Sequence, residues 1–179
     1  MGKILTTTLF ILFATCLNAQ EVISSEISFS IKNAGIKVNG AFQLEDATIK
    51  FNPDDLDNCT IEGSIKVNTI DTGIGLRDKH LKKEDYFDAE KHPLITLKSK
   101  TIKRNDSDSF EGVFDLTIKG ITKNITISFA VNKTDKNQTT YSAQFEIDRL
   151  DFGVGSDSWI MGDEVKVFVT LVTHTLSQN

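Results

Sequence analysis

The chain is poor in the residues that staple, kink or anchor proteins. Its 179 residues include two cysteines, Cys16 and Cys59, two prolines, Pro53 and Pro93, and one tryptophan, Trp159. So few cysteines give no disulfide framework, and stability must come from an apolar core. No apolar run reaches the roughly 20 residues that cross a bilayer, which argues against an integral membrane span. Basic residues are outnumbered, 20 Lys and Arg against 25 Asp and Glu, for a net charge of −5. A mildly acidic surface disfavours nucleic acid or an anionic membrane as the main partner. The compact signatures HExxH, CxxC, CxxCH, GxSxG and the glycine-rich phosphate loop are also missing, so nothing local announces an enzyme or a cofactor.

The first residues, MGKILTTTLFILFATCLNAQ, combine one cation, Lys3, with an apolar stretch and a small residue at Ala19. That is the pattern of an export signal, 1–19, leaving a mature domain of 20–179 and a periplasmic or secreted protein. Acylation at Cys16 is disfavoured by Thr15 before it. Removal of the signal leaves Cys59 as the sole thiol, which reads as a small packed residue. It also takes away Lys3 and makes the net charge one unit more negative.

What remains alternates. Phe29 and Ile31, then Ile36, Val38, Gly40, Phe42 and Leu44, share faces at period two. So do Ile61 to Val67, Phe110 to Ile118, Ile125 to Val131, Tyr141 to Ile147 and Val165 to Leu171. The turn chemistry of NPDDLDN, KRNDSDS and NKTDKNQT separates the runs. Alternation with one wet face belongs to antiparallel sheets, and about eight such strands must close into a sandwich or barrel. Glycines at 40, 63 and 112 within the inward set suggest a curved sheet with room inside, or bends around a filled core.

One stretch breaks the pattern. Residues 75–97, GLRDKHLKKEDYFDAEKHPLITL, are dense in charge, and they predict the only helix, within Asp78–Phe87. Pro93 ends this segment and starts the next strand. RDKHLKKEDYFDAEKHPLITLKS resembles the signature of the YceI-like, polyisoprenoid-binding family. ISFSIKNAGIKVNGAF upstream, and FEGVFDLTIKGITKNITISF, RLDFGVG and GDEVKVFVTL downstream, resemble that family in order, over roughly residues 22–176. The resemblance implies an all-β, lipocalin-like antiparallel barrel of about eight strands, one end closed by the short helix, around a tunnel for a long lipid chain. The chain departs from the family at Lys32-Asn33, Tyr86 and His92.

On this reading Phe29, Phe42, Ile65, Phe114, Leu116, Phe129, Phe145 and Val167 are either tunnel wall or dense core. Arg77, Asp78 and His80 either tie the loop together, with Asp78 capping the helix, or contact a head group; a guanidinium suits a phosphate. Tyr86 and Phe87 face the barrel, and Trp159 is an edge anchor or a mouth residue. The expected function is non-enzymatic carriage of a long-chain lipid, isoprenoid or acyl, without a cofactor or metal. The alternatives are a secreted stress or interaction protein with a filled barrel and, less favoured, a metal-dependent enzyme using His80, His92, Asp85 and Asp88. An exposed edge or apolar mouth admits a homodimer.

Overall fold

The computed structural model describes residues 20–134 and 137–174. The segment read as an export signal, with Cys16, lies outside them. Nine strands form one antiparallel sheet that curls on itself: β1 (Glu21–Asn33), β2 (Ile36–Phe42), β3 (Leu44–Lys50), β4 (Thr60–Lys66), β5 (Leu94–Arg104), β6 (Ser109–Ile118), β7 (Ile121–Lys133), β8 (Gln138–Asp148) and β9 (Met161–His174). Among the described residues a single α-helix, α1 (Gly75–Leu81), joins β4 to β5. The order across the sheet is β2-β1-β9-β8-β7-β6-β5-β4-β3. The count is nine because the run from Ile36 to Lys50 breaks at Gln43, its first half pairing with β1 and its second with β4.

The alternation explains the layering. In β6 buried and half-buried residues alternate without a fault, with Phe110, Phe114, Leu116 and Ile118 pointing inward. Two tight hairpins hold register. Ala34 and Gly35 join β1 to β2, and Lys119 and Gly120 join β6 to β7, all four at positive φ. That is the type I′ geometry that suits the twist of paired strands. Gly40 makes room for another reason: a Cβ there would lie 2.4 Å from the Phe29 ring, which would have to move.

Inward residues gather in two clusters. One holds Ile49, Ile102, Phe110, Phe114, Ile127, Phe129, Val131, Tyr141 and Leu171. Phe51 meets Phe110 edge-on at 4.9 Å and Tyr141 at 5.8 Å, an aromatic plug at this end. The other cluster, toward α1, holds Val67, Ala89, Ile95, Leu116, Ile118, Phe152 and Val154.

The sheet is incompletely zipped at two places. β7 and β8 pair only from Phe129–Ala143 to Lys133–Thr139. Where they part, the turn at Leu150–Phe152 inserts Phe152, which packs in one cluster with Ile125 and Ile147. Lys123 pairs with Asp151 at 3.3 Å to hold the turn against β7. The second place lies between β1 and β3. The β1–β2 ladder runs from Asn33–Ile36 to Ile27–Phe42, and an isolated bridge joins Gln20 to Ile49 in the same continued register. Between these, Glu21–Glu26 and Gln43–Thr48 form no ladder with each other.

Candidate functional site

The middle of the molecule is hollow. Two cavities, of about 170 and about 150 Å³, follow one another along the interior and share Ile27, Ile95, Leu116, Phe145 and Val167 as a common waist. The nearer one, under α1, is walled by Phe29, Val38, Phe42, Leu81, Tyr86, Phe87, Ile147 and Met161 among others. The farther one is walled by Leu44, Ile49, Ile61, Ile65, Leu97, Phe114, Phe129, Tyr141 and Val169 among others. By this measure a water needs about 10–15 Å³, so each cavity has room for roughly a dozen water- or methylene-sized groups. Empty space lined by apolar side chains stays dry and accepts apolar ligands.

All eight sequence-predicted wall residues line this hollow. Phe29 and Phe42 face the nearer cavity, Ile65, Phe114 and Phe129 the farther one, and Leu116, Phe145 and Val167 face both. Phe114 and Phe129 also belong to the packed cluster at the plugged end, so wall and core are one continuous surface. Sequence reasoning missed Ile27, Ile95, Leu81 and Met161. Ile27 and Ile95 were legible from strand parity; Leu81 and Met161 needed the helix and the turn before β9 to be placed.

Two arginines reach the nearer cavity, in opposite ways. Arg149 is buried, and its guanidinium donates to the carbonyls of Val154 at 2.9 Å and Gly162 at 3.0 Å and pairs with Asp163 at 2.7 Å. It ties the Phe152 turn to β9 and has little left to offer a ligand. Arg77, on α1, donates through Nε to the Thr72 hydroxyl at 2.7 Å and through Nη2 to the Thr72 carbonyl at 2.6 Å. Asp78 completes this knot, accepting the Thr72 N–H at 3.0 Å and its hydroxyl at 2.5 Å. Among the described residues no carboxylate lies within ion-pair distance of Arg77, and its Nη1 has no hydrogen-bond acceptor. A half-buried cation with free donors on an apolar wall can take an anionic or strongly polar oxygen.

The charged stretch differs from expectation in two respects. The helix is Gly75–Leu81, earlier than the predicted Asp78–Phe87, because the chain turns at Lys82 and passes through a left-handed residue at Asp88. Asp78 is therefore not the N-cap. Ile74 holds that position without a side-chain cap, and Asp78 reaches back to Thr72 instead. Tyr86 and Phe87 line the nearer cavity, whereas Asp78 and His80 line neither. His80 stacks edge-on with Tyr86 at 5.0 Å between ring centres, and His92 packs against Gly120. Among the described residues no three His, Cys, Asp or Glu side chains converge as a metal site would require. Trp159 is 95% exposed, two residues before Met161 in the chain, and lines neither cavity.

Cys59 is half-buried in the NPDDLDN turn, where its sulfur accepts the Asn52 N–H at 3.2 Å. Burial is the main influence on the thiol and raises its pKa, consistent with a packed residue. At the far end Tyr141 donates its hydroxyl to the Gln20 side-chain oxygen at 2.8 Å, and Thr173 does so at 2.7 Å. Burial pushes the Tyr141 phenol up to about 12.

A curled antiparallel sheet around an apolar hollow, with one helix at an end, defines a lipocalin-like barrel protein. Within that class the chain belongs to the YceI-like domain family, whose pattern matches residues 21–173. A UPF0312 protein of Pseudomonas aeruginosa is 30% identical over 151 residues, covering 81% of this chain and 78% of the relative. Protein YceI of Escherichia coli is 26% identical over the same length and shares. Among solved structures, BcnA of Burkholderia cenocepacia superposes with a TM-score of 0.78 at 27% identity, over 83% of this chain and 95% of that one. A polyisoprenoid binding domain from Saccharophagus degradans, implicated in plant cell wall breakdown, gives a TM-score of 0.68 at 11% identity. It covers 89% of this chain and 99% of that one, a likeness of fold alone.

Proposed function

We propose that this protein binds one long-chain apolar lipid, isoprenoid or acyl, in its interior and carries it without chemical change. The observation that bears the reading is the hollow itself, two adjoining cavities with almost wholly apolar walls and one cation with unused donors. A filled barrel with no ligand fits poorly with that much empty space. Burying about ten methylenes supplies roughly 8 kcal/mol before entropy costs, near micromolar affinity at best. Tight retention therefore calls for a longer chain or for a head-group oxygen on Arg77. Membership of the YceI-like family, and the polyisoprenoid ligand named for a protein of the same fold, support a lipid over other apolar cargo. Export to the periplasm or beyond, with removal of residues 1–19, belongs to the same proposal.

Native mass spectrometry of detergent-free protein tests it and reads the subunit count, including a homodimer, in the same spectrum. One long-chain species in near-stoichiometric amount is expected. Protein that arrives empty and takes up neither prenyl nor acyl chains overturns the proposal.

A further inference from the structure

Three features stop the hollow: the aromatic plug around Phe51, the Phe152 insertion between β7 and β8, and the Gln20–Ile49 bridge. The stretch of β1 and β3 above that bridge has no comparable stop. Residues paired across a ladder point to the same face, and Ser25 pairs with the buried, inward Leu171. Ser25 should therefore be as dry as Leu171, yet it is exposed, and so are its outward neighbours Ser24 and Glu26. Water reaches both faces of this strand. Ile23 falls out of the β1–β9 register at a bulge, Glu45 falls out of the β3–β4 register at another, and Ile23 is 48% exposed. Bulges bend the strand that carries them, so the two lips of the seam are shaped apart from their sheets. Ile27 and Leu44, one on each lip, line the farther cavity.

We infer that the unzipped seam between β1 and β3 is a lateral exit for the tail of the bound chain. The inference rests on the lipid-binding reading and deepens it by setting which lengths are accepted. The two cavities together hold roughly two dozen methylene-sized groups, about four to five isoprene units. A chain that fits adds about fourfold in affinity for each methylene buried, before entropy costs. In a blind tunnel a longer chain would clash and bind worse. With a lateral exit the surplus passes between Ile27 and Leu44 into water, and affinity levels off.

The test uses prenyl alcohols of two to ten units, delivered from cyclodextrin to the full mature protein and to a Ser24→Cys/Glu45→Cys variant in a Cys59→Ser background. Positions 24 and 45 face one another in the continued register, and a short thiol cross-linker closes the seam between them. Affinity should rise to about five units and then stay level in the unlinked protein. Cross-linking should leave chains of up to four units unchanged and cost the longest at least tenfold. As a second reading on unmodified protein, a fluorophore at the chain's far end should be reached by an aqueous quencher for long chains and shielded for short ones. A cross-linked protein that binds the longest chain normally, or a shielded long-chain terminus, overturns the exit and leaves lipid binding intact. Failure to bind any length overturns both.

Discussion

At the scale of single residues, the same side-chain type does opposite work depending on what remains for it to bond. Arg149 is held by backbone carbonyls and Asp163, whereas Arg77, which lines the nearer cavity, leaves its Nη1 without an acceptor among the described residues. Arg77→Met is therefore expected to weaken binding of a chain with a phosphate or carboxylate head about tenfold or more, the loss of a charge-assisted hydrogen bond of about 1.5–3 kcal/mol. Binding of a plain hydrocarbon of equal length should hardly change, and isothermal titration of the two ligands separates these outcomes. Tyr141 makes a second prediction. Its neutral form is favoured in the folded state, with a pKa of about 12 against an ordinary 10. A raised pKa means this contribution is complete below pH 10 and lost as pH rises through 12, roughly 2–3 kcal/mol in all. Denaturant midpoints should fall across that window in the native protein, and Tyr141→Phe should remove this part of the fall.

At the scale of elements, the hairpins show sequence and backbone in partial conflict. Ala34 occupies a left-handed position in the β1–β2 turn, where Asn is better accommodated. Ala34→Asn should raise stability by about 0.5–1 kcal/mol, read as a higher unfolding midpoint. The strands themselves were legible because period-two alternation is a direct imprint of a sheet with one wet face. Phe110 to Ile118 lies inward just as its spacing requires. The helix start was not legible because GLRDKHL offers no side-chain cap and little apolar periodicity, while the aromatics lie after it. In fact Tyr86 and Phe87 reach the hollow from turns. The Thr72 knot was hidden for another reason: it joins a residue before the helix to two within it, and no local pattern marks such a bond. Arg77 itself stood out only through the family resemblance.

At the scale of the whole molecule, an unfilled interior means that the empty protein gives up contacts a packed core would make. Ligand binding should restore them. At a free concentration one hundred times its dissociation constant, a bound chain adds about 2.7 kcal/mol. For a domain of this size that corresponds to a rise in Tm of roughly 5–10 °C. Differential scanning calorimetry of delipidated and reloaded protein checks the prediction, and an unchanged midpoint would mean the added chain sits elsewhere. The incomplete ladder between β1 and β3 belongs to this scale too, because it arises where consecutive strands part company at Gln43 to serve opposite edges of the sheet.

The lone tryptophan has a practical corollary. Trp159 stands almost fully in water, away from the buried clusters. Its emission is thus an intrinsic optical gauge of the surface around the turn before β9. A blue shift will register whatever comes to cover that turn, whereas rearrangements deep inside should leave the colour of its light alone.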